Sequence, residues 1–307
     1  MTSVDADRGS VRGATLVLVV VGVVVGVAFA PQAWGYATEP DGTVAVVELH
    51  GTITGDSASA VVDDLREARH NDSVEAVVLD VNSPGGAASA SEQLYLAVKR
   101  TAGEMPVVAS VTGTAASGSY YASVPADNIY VTPASVVGSI GVRATLPSGG
   151  VPAGEVVTGP DKGSGSTPDE VRQRVETLRR AFVGSVFAER GDRIELTREE
   201  VSHAKVYAGA NGIQNGLADE IGGVDTAIAA AADDAGLSDY DVVRMEAPQA
   251  SVLSQLGLAT DGEPADASTE DVFEYRGVDT VQYLMLHGTI ETDTAADATG
   301  VTANASA

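Results

Sequence analysis

The 307-residue chain contains no cysteine, so disulfides, thiolate catalysis and cysteine-ligated metal are excluded together. The redox compartment stays undetermined. Positive charge is scarce as well: 18 lysines and arginines face 43 aspartates and glutamates, a formal net charge of −25. Only Lys99, Lys162 and Lys205 are lysines. Such a surface repels nucleic acid and anionic lipid head groups, and no nucleic-acid partner is expected. An excess this large also suits a protein kept soluble in high salt, where self-repulsion is screened. The chain further lacks His-Glu-x-x-His, a Walker loop and Gly-x-Gly-x-x-Gly, so metal and nucleotide chemistry are unsupported and no cofactor is expected. Asn71-Asp72-Ser73 and Asn304-Ala305-Ser306 are glycosylation sequons by pattern only.

What is present begins with a polar stretch, residues 1–13, carrying Arg8 and Arg12, followed by the uncharged run 14–30 of valine, leucine, glycine and alanine. As a helix the run would span about 25 Å, adequate with flanking residues for a hydrocarbon core of about 30 Å. A cleaved secretory signal is the rival reading, since Ala28-Phe29-Ala30 has the form of a cleavage site. Pro31 would then follow the cut and oppose processing. The expectation is therefore an uncleaved, single-pass transmembrane helix, with residues 1–13 cytoplasmic and everything after Trp34 outside the cell membrane. Trp34 and Tyr36 would sit at the outer interface.

From residue 42 short apolar strands alternate with amphipathic helices, the mark of an α/β domain, here taken as 38–247. The strand candidates are 44–49, 76–81, 107–111, 128–131 and 139–142. Val61, Val62, Leu65 and Ala68 recur at helical spacing, and a second helix carries Leu94, Ala97 and Val98. A third opens at Thr167-Pro168-Asp169-Glu170, a capping box with proline at the first helical position. Helical pairs follow from Thr197 to Leu237, then a strand near 242–245. Residues 248–280 read as an acidic linker or mobile loop, 281–290 as a late strand and 291–307 as a disordered tail. The late strand echoes the first: Leu286-His287-Gly288-Thr289-Ile290 repeats Leu49-His50-Gly51-Thr52-Ile53.

Two segments could carry chemistry. Asn82-Ser83-Pro84-Gly85-Gly86 closes a very apolar strand, where bare backbone N–H groups can meet a substrate or form an oxyanion hole; alternatively it is a tight turn needing glycine. Gly113-Thr114-Ala115-Ala116-Ser117-Gly118-Ser119 also follows an apolar strand, and Ser117 is either an exposed nucleophile at a helix start or an N-cap. Ala115 stands where the Gly-x-Ser-x-Gly elbow has glycine. A nucleophilic serine needs a base. His50, His70, His203 and His287 all read as structural or solvated. Among the lysines, Lys162 lies in a glycine-rich loop before the capped helix, whereas Lys99 and Lys205 lie in polar or acidic helical surroundings.

Taken jointly, these segments resemble the signal peptide peptidase family of the SppA type, peptidase family S49, and with the acidic excess a haloarchaeal member of it. The resemblance covers roughly residues 43–231. The segment ending in Asn82-Ser83-Pro84-Gly85-Gly86 is similar to the family's oxyanion strand, which assigns that role to the backbone of Gly85 and Gly86. Ala115-Ala116-Ser117-Gly118-Ser119-Tyr120-Tyr121 looks like the family's nucleophile segment and places the nucleophile on Ser117. Val137-Gly138-Ser139-Ile140-Gly141-Val142 matches a segment whose serine, here Ser139, orients the catalytic lysine. Gly159-Pro160-Asp161-Lys162 resembles the loop carrying that lysine. Val206-Tyr207-Ala208-Gly209 and Gly216-Leu217-Ala218-Asp219 are similar to the closing segment. Ser119 in place of a second glycine, Gly163 in place of an aspartate and a shortened stretch between Val142 and Lys162 depart from the pattern.

The resemblance implies a ClpP/crotonase-like spiral of β-β-α units preceded by the transmembrane helix. It further implies a membrane-anchored serine endopeptidase with a Ser-Lys dyad, acting on membrane-derived peptides such as remnant signal peptides, and a homo-oligomer. Two other readings stay open: an inactive membrane scaffold that binds peptides without cutting them, and a crotonase-type acyl-CoA enzyme.

Overall fold

The computed structural model describes residues 40–145, 158, 167–245 and 283–287. The run 14–30, Trp34, Tyr36, Lys162, the stretch 248–280 and the tail 291–307 lie outside the described residues. Among the described residues no helix is long and apolar enough to cross a membrane.

The strands are β1 (Gly42–Ile53), β2 (Val74–Ala87), β3 (Val107–Ala116), β4 (Asn128–Val131), β5 (Val136–Gly138), β6 (Arg143–Ala144), β7 (Val206–Ala208), β8 (Glu220–Ile221), β9 (Tyr240–Met245) and β10 (Tyr283–Leu286). The helices are α1 (Gly55–His70), α2 (Ala88–Ala102), α3 (Gly118–Ser123), α4 (Pro168–Arg190), α5 (Arg198–Ser202), α6 (Gly209–Gln214) and α7 (Val224–Asp234). Six strands run parallel in the order β9-β1-β2-β3-β4-β8. Side chains alternate between the two faces of this sheet. Ala45, Val47, Val77 and Leu79 face Leu65 of α1, Leu94 of α2 and Phe182 of α4 in one core. Val44, Val46, Ala76 and Val78 face Ile228 and Ala231 of α7 in the other. A strand covered on both faces is apolar along most of its length, which is why β1, β2 and β3 read as valine-rich runs, interrupted by Glu48, Asp80 and Ser110.

Past their apolar stretches, β2 and β3 leave this sheet and join a second set of partners. There Ser83 pairs with Ala115, and the end of β3 pairs with β5, which pairs antiparallel with β7. On the other side, β10 lies antiparallel to both β2 and β6. The ten strands thus form one sheet that forks and curls at the carboxyl ends of β2 and β3.

The expected strands at 44–49, 76–81, 107–111 and 128–131 are all present, and β2 and β3 run several residues further than the apolar pattern indicates. The strand expected at 139–142 is not there. Its place is taken by β5 at Val136–Gly138, because Gly138 and Ser139 have positive φ, 114° and 55°, and end the extended run. The capped helix is α4, with the Thr167 hydroxyl accepting from the Glu170 N–H and the Glu170 side chain accepting from the Thr167 N–H. Within 281–290, the described strand is β10, and it pairs inside the same fold.

Candidate active site

The site is built at the fork. Ser117 sits between β3 and α3 with φ 58° and ψ −118°, a conformation nearly closed to residues with a side chain. It is one of three non-glycine residues with positive φ among the described residues; Ser139 is another. Such strain persists only when neighbours over-determine it, and the neighbours are identifiable. The Ser117 N–H donates to the Gly138 carbonyl at 2.8 Å, its carbonyl accepts from the Tyr121 N–H at 2.9 Å, and the residue is buried. A sharp strand-to-helix turn of this form is the nucleophile-elbow geometry, although Ala115 breaks the glycine pattern associated with it. Ala115 is fully buried, and the tight spot falls at Gly118, where a Cβ would lie 2.1 Å from Ser91 Oγ.

The two glycines of β2 flank this turn. Gly85 has φ 93°, and a Cβ there would lie 2.7 Å from the Gly118 nitrogen and 2.9 Å from the Ala116 carbonyl. At Gly86 a Cβ would meet the Ile53 carbonyl at 1.9 Å. Only a residue without a side chain lets the three backbones come this close. The Gly85 N–H donates to Ser83 Oγ at 3.1 Å. The Gly118 N–H opens α3 and so has no acceptor within that helix. Sequence reasoning missed Gly118 as a candidate N–H donor; its position immediately after the candidate nucleophile was the available signal.

Ser119, a departure from the family pattern, has a clear role. Its hydroxyl is buried and shares its one proton between the Ser83 carbonyl at 2.6 Å and the Ala116 carbonyl at 2.9 Å, tying the serine turn to the glycine segment. Asn82 does the same one strand turn earlier, its Oδ1 accepting from the Thr114 N–H at 3.2 Å.

Ser139 follows β5, and its N–H donates to the Lys205 carbonyl at 2.8 Å. Its Oγ lies 3.2 Å from His287 Nδ1, which the sequence had left as a structural or solvated histidine. The structure thus brings together Ser117, Gly85, Gly86 and Ser139, while Lys162 lies outside the described residues. Of the other lysines, Lys99 is ion-paired to Glu189 at 2.6 Å, and the Lys205 side chain is exposed while its carbonyl holds Ser139. His50 is near Asp80 at 3.5 Å and Glu48 at 3.7 Å rather than Ser117. No group of metal-ligating side chains occurs among the described residues.

The base of the site is braced by a buried ion pair. Arg190 at the end of α4 is 1% exposed and binds Asp219 through two N–H···O contacts of 2.9 and 3.1 Å. It also donates to the Gly216 carbonyl, while Tyr120 of α3 donates to the Leu217 carbonyl at 2.9 Å. Burial pushes the Tyr120 hydroxyl far above its ordinary value, keeping it a neutral donor. The segment containing Asp219 therefore locks α4 to α3, the helix that follows Ser117.

The architecture is thus a mixed α/β protein with a curled sheet and a strained serine at the carboxyl edge of its parallel strands. The sequence pattern of peptidase family S49 matches residues 99–148 and 162–238, enclosing Ser117, Ser139 and Lys162. Protease 4 of Salmonella typhi is 35% identical over 225 residues, covering 65% of this chain and 36% of that protein. The chloroplastic serine protease SPPA of Arabidopsis thaliana is 28% identical over 231 residues, covering 67% of this chain and 33% of that protein. Among solved structures, a membrane-bound stomatin-specific protease matches with a TM-score of 0.43 and 15% identity, over 60% of this chain and 82% of that chain. The chain thus carries the pattern of peptidase family S49 and is similar to SppA-type proteases. It spans about a third of the length of the Salmonella and Arabidopsis relatives.

Proposed function

We propose that this chain is a membrane-anchored serine endopeptidase, with Ser117 as nucleophile and Lys162 as base. The observation that carries the reading is the φ 58°, ψ −118° turn at Ser117, set against the glycine pair of β2. A strained serine beside close-packed glycine backbone is what acyl transfer needs: a hydroxyl held in one position and N–H donors aimed at the developing oxyanion. Neutral Lys162 takes the Ser117 proton as the hydroxyl oxygen attacks a peptide carbonyl. The N–H groups at Gly85 and Gly86, joined by that of Gly118, hold the oxyanion, the Gly85 N–H exchanging its contact to Ser83 Oγ for it. Lys162 then protonates the leaving amine, and water hydrolyses the acyl-enzyme. Ser139 is the positioning residue for the lysine, and its hydroxyl contact to another nitrogen base, His287, supports that use.

The apolar run 14–30 supports membrane attachment, with the catalytic domain outside the cytoplasm. Peptides left in or near the membrane, remnant signal peptides among them, are the proposed substrates, and a homo-oligomer is the proposed assembly. A fluorophosphonate probe tests the core of the reading. It should label wild-type protein at Ser117 and fail on Ser117→Ala; labelling that survives the substitution rejects the assignment.

A further inference from the structure

Four fully buried serines lie on the elements around the nucleophile turn: Ser83 on β2, Ser91 on α2, and Ser119 and Ser123 on α3. Ser91 and Ser123 donate to the carbonyls of Ala87 and Ser119, each four residues back along the chain. Such back-bonding is open to any serine in a helix and ties it to no other element. Ser119 is different. Its contact to the Ala116 carbonyl, 2.9 Å, is local, but the shorter one, 2.6 Å, crosses to the Ser83 carbonyl of β2, 36 residues away in sequence. Ser83 is held at its other end too, where Oγ accepts from the Gly85 N–H at 3.1 Å. Pro84 stands between the two with its φ fixed by the ring, so little freedom remains between the Ser83 carbonyl and the Gly85 N–H. The Ala116 carbonyl belongs to the peptide group that supplies the Ser117 N–H. One proton therefore bridges the backbone entering Ser117 and the backbone entering Gly85.

Glycine, the residue of the family pattern at this position, has no hydroxyl with which to make that bridge. It would leave the close approach of Gly85 to Gly118 to packing alone. We propose that Ser119 is a positioning residue for the acyl transfer: its hydroxyl, acting through Ser83, sets the separation between the Ser117 hydroxyl and the Gly85 N–H at which an oxyanion is held. This rests on the assignment of Ser117 and the glycines as an active site. An oxyanion donor counts only when it lies within hydrogen-bond reach of the place where charge develops, so loss of the bridge acts on the transition state and not on peptide binding. The signature is a fall in kcat at unchanged KM. The pH dependence of kcat/KM should keep its midpoint, because the Ser119 hydroxyl takes no part in the proton transfer.

The test uses the full chain and a matched control. For wild type, Ser119→Ala and Ser123→Ala, kcat and KM for an apolar reporter peptide and the rate of fluorophosphonate labelling at Ser117 are measured, each corrected for the folded fraction from a denaturant melt. Ser123→Ala removes an equally buried hydroxyl from the same helix, but one that does not reach β2, so it should lose stability to a similar degree and keep its kcat. Ser119→Ala should lower kcat and the labelling rate by about tenfold or more relative to that control, on the scale expected for misplaced reacting groups. Ser119→Gly, which restores the residue of the family pattern, should be as slow as Ser119→Ala. If Ser119→Ala does not fold, Ser119→Cys, which leaves no cavity and offers only a weak S–H donor, repeats the measurements. Equal kcat in the Ser119 and Ser123 variants, a fall confined to KM, or a Ser119→Gly chain faster than wild type overturns the proposal. If the wild type takes no probe at Ser117 and turns over no peptide, the serine peptidase assignment fails; if it reacts and the Ser119 variants react as fast, only the positioning role falls.

Discussion

Two parts of the same strands behave differently. Residues 76–81 of β2 and 107–111 of β3 are sandwiched between helices, and their side chains alternate between two apolar cores. Residues 83–87 and 114–116 lie past the fork, where glycines, serines and short strands meet at close range and backbone geometry departs from the ordinary. The first region holds by burying area, which tolerates approximate shapes. The second holds by backbone contacts that no Cβ could enter, and it concentrates the positive-φ serines. Stability and the proposed chemistry are thus divided along the length of two strands, so substitutions in the two regions should separate them.

The sharpest break is Ser117→Ala. Peptide turnover should fall by several orders of magnitude, as removal of a catalytic serine does elsewhere, with the thermal midpoint nearly unchanged. Ser117→Gly should be equally inactive yet more stable, because relieving the positive φ recovers about 1–3 kcal/mol of backbone strain. Turnover assays paired with denaturant melts read both, and an active Ser117→Ala chain would contradict the division. Lys162→Ala should approach the same loss, with Ser139→Ala milder. In the wild type kcat/KM should rise with pH as the base loses its proton, since only the neutral amine accepts one.

Gly85→Ala comes next. The methyl would lie 2.7 Å from the Gly118 nitrogen at a φ of 93°, displacing the turn by a fraction of an ångström. Activity should drop by about a hundredfold, the scale expected when reacting groups are misplaced. Leu79→Ala in the sandwiched half should do the reverse, costing about 2–5 kcal/mol in a denaturant melt while the folded fraction keeps its kcat. Comparable stability and activity losses in both variants would erase the distinction.

Asp219→Ala probes the brace between the regions. It leaves the buried Arg190 guanidinium without its carboxylate and should cost about 3–5 kcal/mol, with any activity loss following the loss of fold.

The smallest expected effect concerns alkaline pH. Burial first, and then neighbours such as Glu189, raise the hydroxyls of Tyr95 and Tyr121 above their ordinary value of 10.0, and burial does the same at Tyr120. The neutral phenols belong to the folded state. Their contribution is therefore complete below the unfolded value and is lost as pH rises through the folded ones. Melts from pH 8 upward should show stability declining only beyond about pH 10. A decline beginning below that point would show that other groups control it.

The sequence alone determined the sandwiched half of the fold. Short apolar runs located β1 to β4, helical spacing located α1 and α2, and the Thr167 to Glu170 capping box set the start of α4. These are local or periodic signals, and their physical cause lies in residues next to each other along the chain. The same holds for the glycine pair, Ser117 and Ser139, legible because short motifs carried them. Only the tertiary structure decided what those motifs do to one another. The fork that carries β2 and β3 away from the parallel sheet, the strain at Ser117, the tie from Ser119 to Ser83 and the use of Gly118 all depend on long-range backbone approach. The absence of the strand expected at 139–142 has the same origin: Ser139 has a positive φ, and its N–H is claimed by the carbonyl of Lys205, far along the chain. So does the placement of β10. Its apolar pattern marked a strand, but nothing in the order of residues specifies which edge a distant strand will find, since pairing is settled by the slot that the rest of the fold leaves open.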